Sequence, residues 1–542
     1  MRTFITAFIV LGMLSSLWAL ASPLMSSPDE PAHTIKAAAV VRGQLQGKNG
    51  AAQGERTVVT VPAYIASVEG LPACFAWKPL VAAGCAPQVP ASDTNPEEAR
   101  TSAGNYNPMY YAVTGLPSLV FSGAKAIYAM RIASALIVSA FLALALASLA
   151  SLRRGRLPLL IGAVSLTPMV FYLGGAINPN ALEIGASMAV FATLCLALER
   201  MGSSATWKRP LAAMAVSAAI LANTRAASLL WLALAVAAAL LIFGRRPLQL
   251  AVRQRFVWLM AAIVAAGCGL SILWLKTADS FQSLLGEGID ATPIQIVAVM
   301  LDRTFEFAAG YVSYLGWLDT RGPSGVLVIW SVLIGATLIA ALSFSRRSSR
   351  FAVGGLLLAM VALPPLLQIP LAKDVGYIWQ GRYILALLVV MTAACAVALR
   401  HVSLPRGTAV RRSVGITVGL AVFGHFYSFV FGLRRYTIGL QESSNWSDMV
   451  DKAQWQPPLG WVALALLYLA VLAAAAVVLH RAVFAGADGD TRLLDDARFI
   501  GDASLPEERA IDGRRGEGKP VRARQQDKLT SPAVSGPEAG NS

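Results

Sequence analysis

The sequence predicts an all-α protein, a polytopic bundle of about twelve transmembrane helices with a large extracytoplasmic first loop. Three observations predict it. Apolar runs of about 20 residues follow one another along most of the chain, each long enough to cross a bilayer. Of 542 residues, 56% are hydrophobic and 14% charged, with a mean hydropathy of +0.59. Alternate connections between the runs are basic, as orientation in a membrane requires. In lipid a helix satisfies its own backbone polar groups, so the runs read as helices rather than as a soluble core.

Taken in order, the runs are 3–21, 126–150, 157–175, 179–199, 209–223, 226–243, 255–275, 324–344, 352–371, 378–399, 413–433 and 459–481. The first ends in "ALAS", a signal-peptidase-like pattern, but its length favours an uncleaved anchor. The stretch 209–243 is broken by "NTR" at Asn223–Arg225 and reads as two helices in a tight hairpin. "RRGR" (153–156), "WKR" (207–209), "GRRPLQLAVRQR" (244–255), "SRRSSR" (345–350) and "RHVSLPRGTAVRR" (400–412) face the cytoplasm by the positive-inside rule, with both termini. Residues 22–125, 276–323 and 434–458 then lie outside, the first carrying amphipathic helices. The membrane domain spans 1–482, and the polar segment 483–542 reads as a disordered cytoplasmic tail. The net charge of +15 sits largely in the topogenic loops and speaks against a nucleic-acid partner.

Cys195, Cys268 and Cys395 fall inside apolar runs and behave there as small apolar residues. Cys74 and Cys85 share the outer loop. A disulfide between them suits an oxidising compartment, with two free thiols as the alternative.

"SSPDEPAH" (26–33) follows the first run. As structure it is a helix start, with Ser27 as cap, Pro28 in the first helical position and Glu30 closing an S-x-x-E box. As chemistry it places Asp29 and His33 four apart on one helix face, with Glu30 beside them and Lys36 one turn on. Four further polar clusters lie at outer helix ends. "NYNPMYY" offers Asn107, Tyr110 and Tyr111. "GGAINPNALEIG" offers Asn178, Asn180 and Glu183, the last a carboxylate at a depth where it needs a partner. "YLGWLDTRGP" offers Trp317, Asp319 and Arg321, and "GYIWQGRYIL" offers Trp379, Gln380, Arg382 and Tyr383. Each taken alone is more often an interfacial anchor than a site. No phosphate-binding G-x-x-x-x-G-K-[ST] loop and no H-E-x-x-H is present, and four histidines give no metal-site pattern. Energy for any chemistry therefore arrives with the substrate.

An acidic pair directly after the first span, a long outer loop and "PMYY" before the second span resemble the GT-C superfamily of integral-membrane glycosyltransferases. More closely, "SSPDEPAHTIKAAAVVRGQ", "INPNALEI", "GWLDT" and "QGRYIL", in this order, resemble a bacterial family of polytopic membrane proteins of unknown function that is related to GT-C enzymes. The resemblance covers roughly residues 5–480. It implies a GT-C-like fold in the plasma membrane. It also implies inverting transfer of a sugar from a polyprenyl-phosphate carrier to a cell-envelope glycan or lipid acceptor at the outer face. The first-loop carboxylate is the base in GT-C enzymes, a role that falls on Asp29, with Glu30 as alternate and His33 beside them. A cation must meet the leaving phosphate: Arg382 is the first choice, with Lys36, Arg225 and Arg321 behind it. Asn178, Glu183 and Gln380 are candidates for the sugar hydroxyls, and the tyrosines for packing on the sugar or prenyl chain. Many GT-C members lack the histidine, which leaves the use of a divalent cation open. The rival readings are a transporter or flippase of a lipid-linked glycan and a non-catalytic membrane scaffold.

Overall fold

The computed structural model describes residues 1–485 except 51–53, 92, 202–204, 280–286, 403–406, 442 and 444. The expected tail lies, from residue 486 on, outside the described residues.

The chain is an α-helical membrane bundle. Among the described residues nine helices are long and apolar enough to cross a membrane: Arg2–Ala21, Gly123–Ala150, Pro179–Arg200, Arg255–Thr277, Ser324–Phe344, Arg347–Gln368, Gly381–His401, Thr408–Thr437 and Trp461–Phe484. Two bent pairs raise the number to eleven among the described residues. The predicted span 157–175 is one of them. Arg156–Val164 and Pro168–Gly174 meet at 68°, because Pro168 has no N–H for a continuous helix. The Ser165 and Thr167 hydroxyls donate to the carbonyls of Gly162 and Tyr311 at the break. Ser228–Phe243 and Arg245–Ala251 meet at 109° around Gly244, whose φ of 74° favours glycine.

The count falls one short of twelve at the predicted run 209–223, which forms the 15-residue helix Lys208–Ala222. It lies parallel to Arg255–Thr277. Trp207 meets the Phe256 ring near one end, and Ser271 donates to the Ala222 carbonyl at the other. The helix stops early because Asn223 leaves it, its amide donating to the Gly267 carbonyl and its side-chain oxygen accepting from Asn107.

Pro179–Arg200 and Leu385–Ala398 form the buried centre. Gly123–Ala150, Lys208–Ala222 and Ser228–Phe243 pack on the former. The first helix joins this core through Trp18, which sits against Tyr172, Phe429 and Tyr468. Gly175 permits the close approach, since a Cβ there would stand 2.6 Å from the backbone nitrogen of Ala19. Basic loops gather at one end of the bundle: Arg154 donates to the His401 carbonyl, Arg200 to that of Ser151, and Glu199 pairs with Arg400. Pro179–Arg200 runs from that end to Asn178 at the other, where the polar motifs lie.

The first loop departs from the expectation of amphipathic helices alone. It holds one helix of 11 residues, Glu30–Val40, several shorter turns, and an antiparallel strand pair, Thr57–Pro62 with Pro96–Thr101. Thr57 stands opposite Thr101 and Pro62 opposite Pro96. The β-branched run "TVVTV" suits a strand with one face inward; Val59 and Val61 are buried and Thr60 is exposed. Its partner "PEEART" has no strand signature and is recruited only by pairing.

Candidate active site

The helix after the first span begins two residues later than the sequence suggested. Its N-cap is Asp29, not Ser27, and neither side chain caps it; the Ser27 hydroxyl is buried without a partner among the described residues. One half of the expected box survives as a long contact from the Ser27 amide to Glu30 at 3.5 Å. Asp29 has a φ of 64°, a left-handed conformation that aspartate tolerates better than most residues. The turn sends the two adjacent carboxylates in different directions.

Glu30 points into the bundle and is fully buried. Both its oxygens accept from Arg131 at 2.7 Å, and one also accepts from the Ile177 amide at 3.2 Å. Arg131 further donates to the carbonyls of Ala19, Ser22 and Pro23, so all five of its N–H groups are used. The pair fastens the end of the first helix to the start of the next. Glu30 thereby takes a structural place rather than that of an alternate base.

Asp29 points the other way. Its side chain is 48% exposed and pairs with the fully buried Arg382 at 2.5 Å. Arg382 also donates to the side chain of Gln380 (2.6 Å) and to the Pro28 carbonyl (3.2 Å). Burial by itself would raise the Asp29 carboxyl, but Arg382, with His33 and Arg225 behind it, holds it below the ordinary carboxylate range.

Distant motifs converge on successive positions of this one turn. Trp317 of "GWLDT" donates its indole N–H to the Met25 carbonyl, and Tyr172 donates to Ser26. Asn178 of "INPNALEI" donates to the Pro28 carbonyl while its oxygen caps the helix that starts at Pro179. Arg382 of "QGRYIL" takes Pro28 and Asp29. Residues 12–391, a stretch that contains all these positions, match the family described as "Predicted membrane protein (DUF2142)". The chain belongs to this family. No curated protein resembles it in sequence beyond chance. Among solved structures it is similar to the crystal structure of ArnT from Cupriavidus metallidurans bound to undecaprenyl phosphate. That match has 11% identity and a TM-score of 0.43, over 93% of this chain and 81% of that one. It is also similar to the apo oligosaccharyltransferase of Archaeoglobus fulgidus. There the identity is 12% and the TM-score 0.33, over 84% of this chain and 60% of that one.

In this DUF2142 protein a cavity of about 430 Å³ opens beside the turn, lined by Tyr106, Arg225, Trp231, Trp274, Trp379 and Tyr383 among others. Its volume falls in the range of small-molecule sites. Asp29 is not in its wall. The Tyr383 ring connects the two, since it lines the cavity and carries Arg382 at 5.2 Å and Arg225 at 5.0 Å. Arg225 is bonded to the Asn180 oxygen and stands 3.5 Å from Glu183, which also accepts from Ser228 at 2.7 Å. Glu183 thus has the partners that its depth demands. The Trp379 indole N–H is buried without a partner among the described residues.

The remaining predicted residues take supporting places. His33 bonds Tyr111 through Nδ1 at 2.8 Å, and burial drives its pKa down to about 3, against the pull of Asp29. Lys36 donates to the carbonyls of Leu45 and Gly104, and burial lowers its pKa to about 7. Tyr110 bonds Ser134, and the Asn107 amide donates to the Asn223 side-chain oxygen. Asp319 is held by Arg435 at 3.2 Å, and Arg321 is exposed on a two-residue strand. Cys74 and Cys85 are bonded, their Cα atoms 6.1 Å apart. Among the described residues no three His, Cys, Asp or Glu side chains gather as for a metal. The sequence reading missed Arg131, although a lone arginine inside the apolar run 126–150 was itself a signal of a buried partner. It also missed Tyr106, Trp231 and Trp274, whose aromatic character does not distinguish a cavity wall from a core.

Proposed function

We propose that this chain is a GT-C-type glycosyltransferase of the bacterial plasma membrane, with both termini cytoplasmic. It would move a sugar from a polyprenyl-phosphate donor to a cell-envelope glycan or lipid acceptor at the outer face. The observation that carries the reading is Asp29, a half-exposed carboxylate held ionised by a buried arginine beside a cation-bearing aromatic cavity. A scaffold has no need of a charge so placed.

In this reading the cavity takes the sugar and its phosphate. The acceptor hydroxyl gives its proton to the Asp29 carboxylate as its oxygen bonds the anomeric carbon. The carbon–oxygen bond to phosphate breaks, and the lipid phosphate leaves with the electron pair. Arg225 is better placed than Arg382 to meet that charge. Arg382 has a fully buried side chain already committed to Asp29, Gln380 and Pro28, whereas Arg225 is 19% exposed and lines the cavity. Arg382 then serves to position the base. The free indole N–H of Trp379 is a donor for a sugar hydroxyl.

Asp29→Asn keeps size and hydrogen bonding but cannot accept the proton. Membranes containing the variant at normal abundance are assayed for transfer of labelled sugar from polyprenyl-phosphate donors into envelope glycan. The expected loss is roughly 10²-fold or more. Full transfer at normal abundance overturns the assignment.

A further inference from the structure

The disulfide-closed loop 74–85 has no part in that chemistry, yet it is anchored at several points. Fully buried Arg435 donates to the carbonyls of Phe75 (2.9 Å), Lys78 (3.0 Å) and Val81 (2.6 Å) while paired with Asp319. Within the loop Trp77 has a φ of 58°, a region that side-chain-bearing residues rarely adopt, and is 68% exposed. Its ring lies on that of Trp317, centroids 4.8 Å apart and planes tilted by 58°. Trp317 in turn donates its N–H to the Met25 carbonyl at 3.0 Å. Met25 is four residues before Asp29, at most about 14 Å of extended chain. An exposed indole on a strained, fourfold-anchored backbone is thus tied through its neighbour to the turn bearing the candidate base.

We infer that Trp77 and Trp317 form an acceptor-side platform on which a pyranose ring of the acceptor glycan stacks. The inference rests on the transferase reading for the word acceptor. Indole faces carry negative charge density, and the C–H face of a pyranose presents weakly positive hydrogens with little polar surface to desolvate. Two indoles tilted toward each other give such a ring a shallow, preorganised seat. An interfacial membrane anchor needs a tryptophan at headgroup depth, but neither a second ring nor a link to the Asp29 turn.

The test uses the full chain in lipid nanodiscs, titrated calorimetrically with oligosaccharides released from the host envelope by mild acid. Saturable binding is expected for the unaltered protein, about tenfold weaker binding for Trp77→Ala, and binding within about threefold for Trp77→Phe. Gly354→Ala, whose added Cβ meets nothing within 4 Å, should bind as the unaltered protein does. No saturable binding, or equal binding by Trp77→Ala, overturns the platform. So does quenching by bromolipid of the emission that Trp77→Phe removes, which would place the ring in the membrane. If Asp29→Asn retains transfer while Trp77→Ala loses binding, the mechanism fails and the saccharide site stands.

Discussion

Replacing Arg131 by methionine should destabilise this protein by about 3–5 kcal/mol, the usual result of removing one partner of a buried ion pair. The structure gives the reason for the upper part of that range. The guanidinium makes five hydrogen bonds of 2.7–2.9 Å, two to Glu30 and three to the carbonyls of Ala19, Ser22 and Pro23. Ala19 lies in the last turn of the first helix, where carbonyls have no partner within the helix. Methionine preserves much of the volume but leaves a buried carboxylate with no cation, strips the Ala19 and Ser22 carbonyls of their side-chain donor and takes one of two donors from Pro23. That corresponds to a factor of roughly 10²–10⁴ in the unfolding equilibrium. Unfolding would be followed by tryptophan fluorescence in mixed dodecyl maltoside and SDS micelles. Glu30→Gln should also destabilise. The double variant should cost less than the sum, because the second change removes a charge already unpaired. An Arg131→Met protein within about 1 kcal/mol of the unaltered one would refute the structural role of the pair and return Glu30 to consideration as a base.

Two other outcomes follow from the same region. The folded chain keeps His33 neutral down to about pH 3, whereas an unfolded chain protonates it near 6.5, so stability is lost as pH falls below about 6.5, by up to about 1.4 kcal/mol per unit. Unfolding curves between pH 4 and pH 7 should show a slope that His33→Gln reduces; an unchanged slope in the variant refutes the attribution. At Gly381, one residue before Arg382, a Cβ would press into the carbonyl oxygen of Phe307, so Gly381→Ala must shift Arg382 away from Asp29. Transfer should fall roughly tenfold with a stability loss of about 1–3 kcal/mol. Gly354→Ala, which meets nothing within 4 Å, should leave both unchanged or gain slightly in stability.

Periodicity and composition by themselves determined that this is a polytopic helical membrane protein, which end of the bundle carries the basic loops, and which short motifs stand out from the apolar background. These are local properties. An apolar run must be a helix in lipid whatever surrounds it, and an arginine-rich loop orients the helix beside it. The same sequence could not divide Asp29 from Glu30. Both are acids in one first turn, and only the left-handed backbone at Asp29 and the arrival of Arg131 and Arg382 from far along the chain give one a buried structural pair and the other a half-exposed one. Lys36 and Arg225 are a similar case. Both are cations at the end of the bundle away from the basic loops, but one is spent on two backbone carbonyls and the other reaches a cavity wall. The strand "PEEART", the break at Asn223 and the seat of Trp77 on Trp317 likewise depend on partners distant in sequence. Whether a polar side chain is an anchor or part of a site is decided by what faces it across the bundle. That is set by packing among helices and the loops that join them, which no single segment encodes.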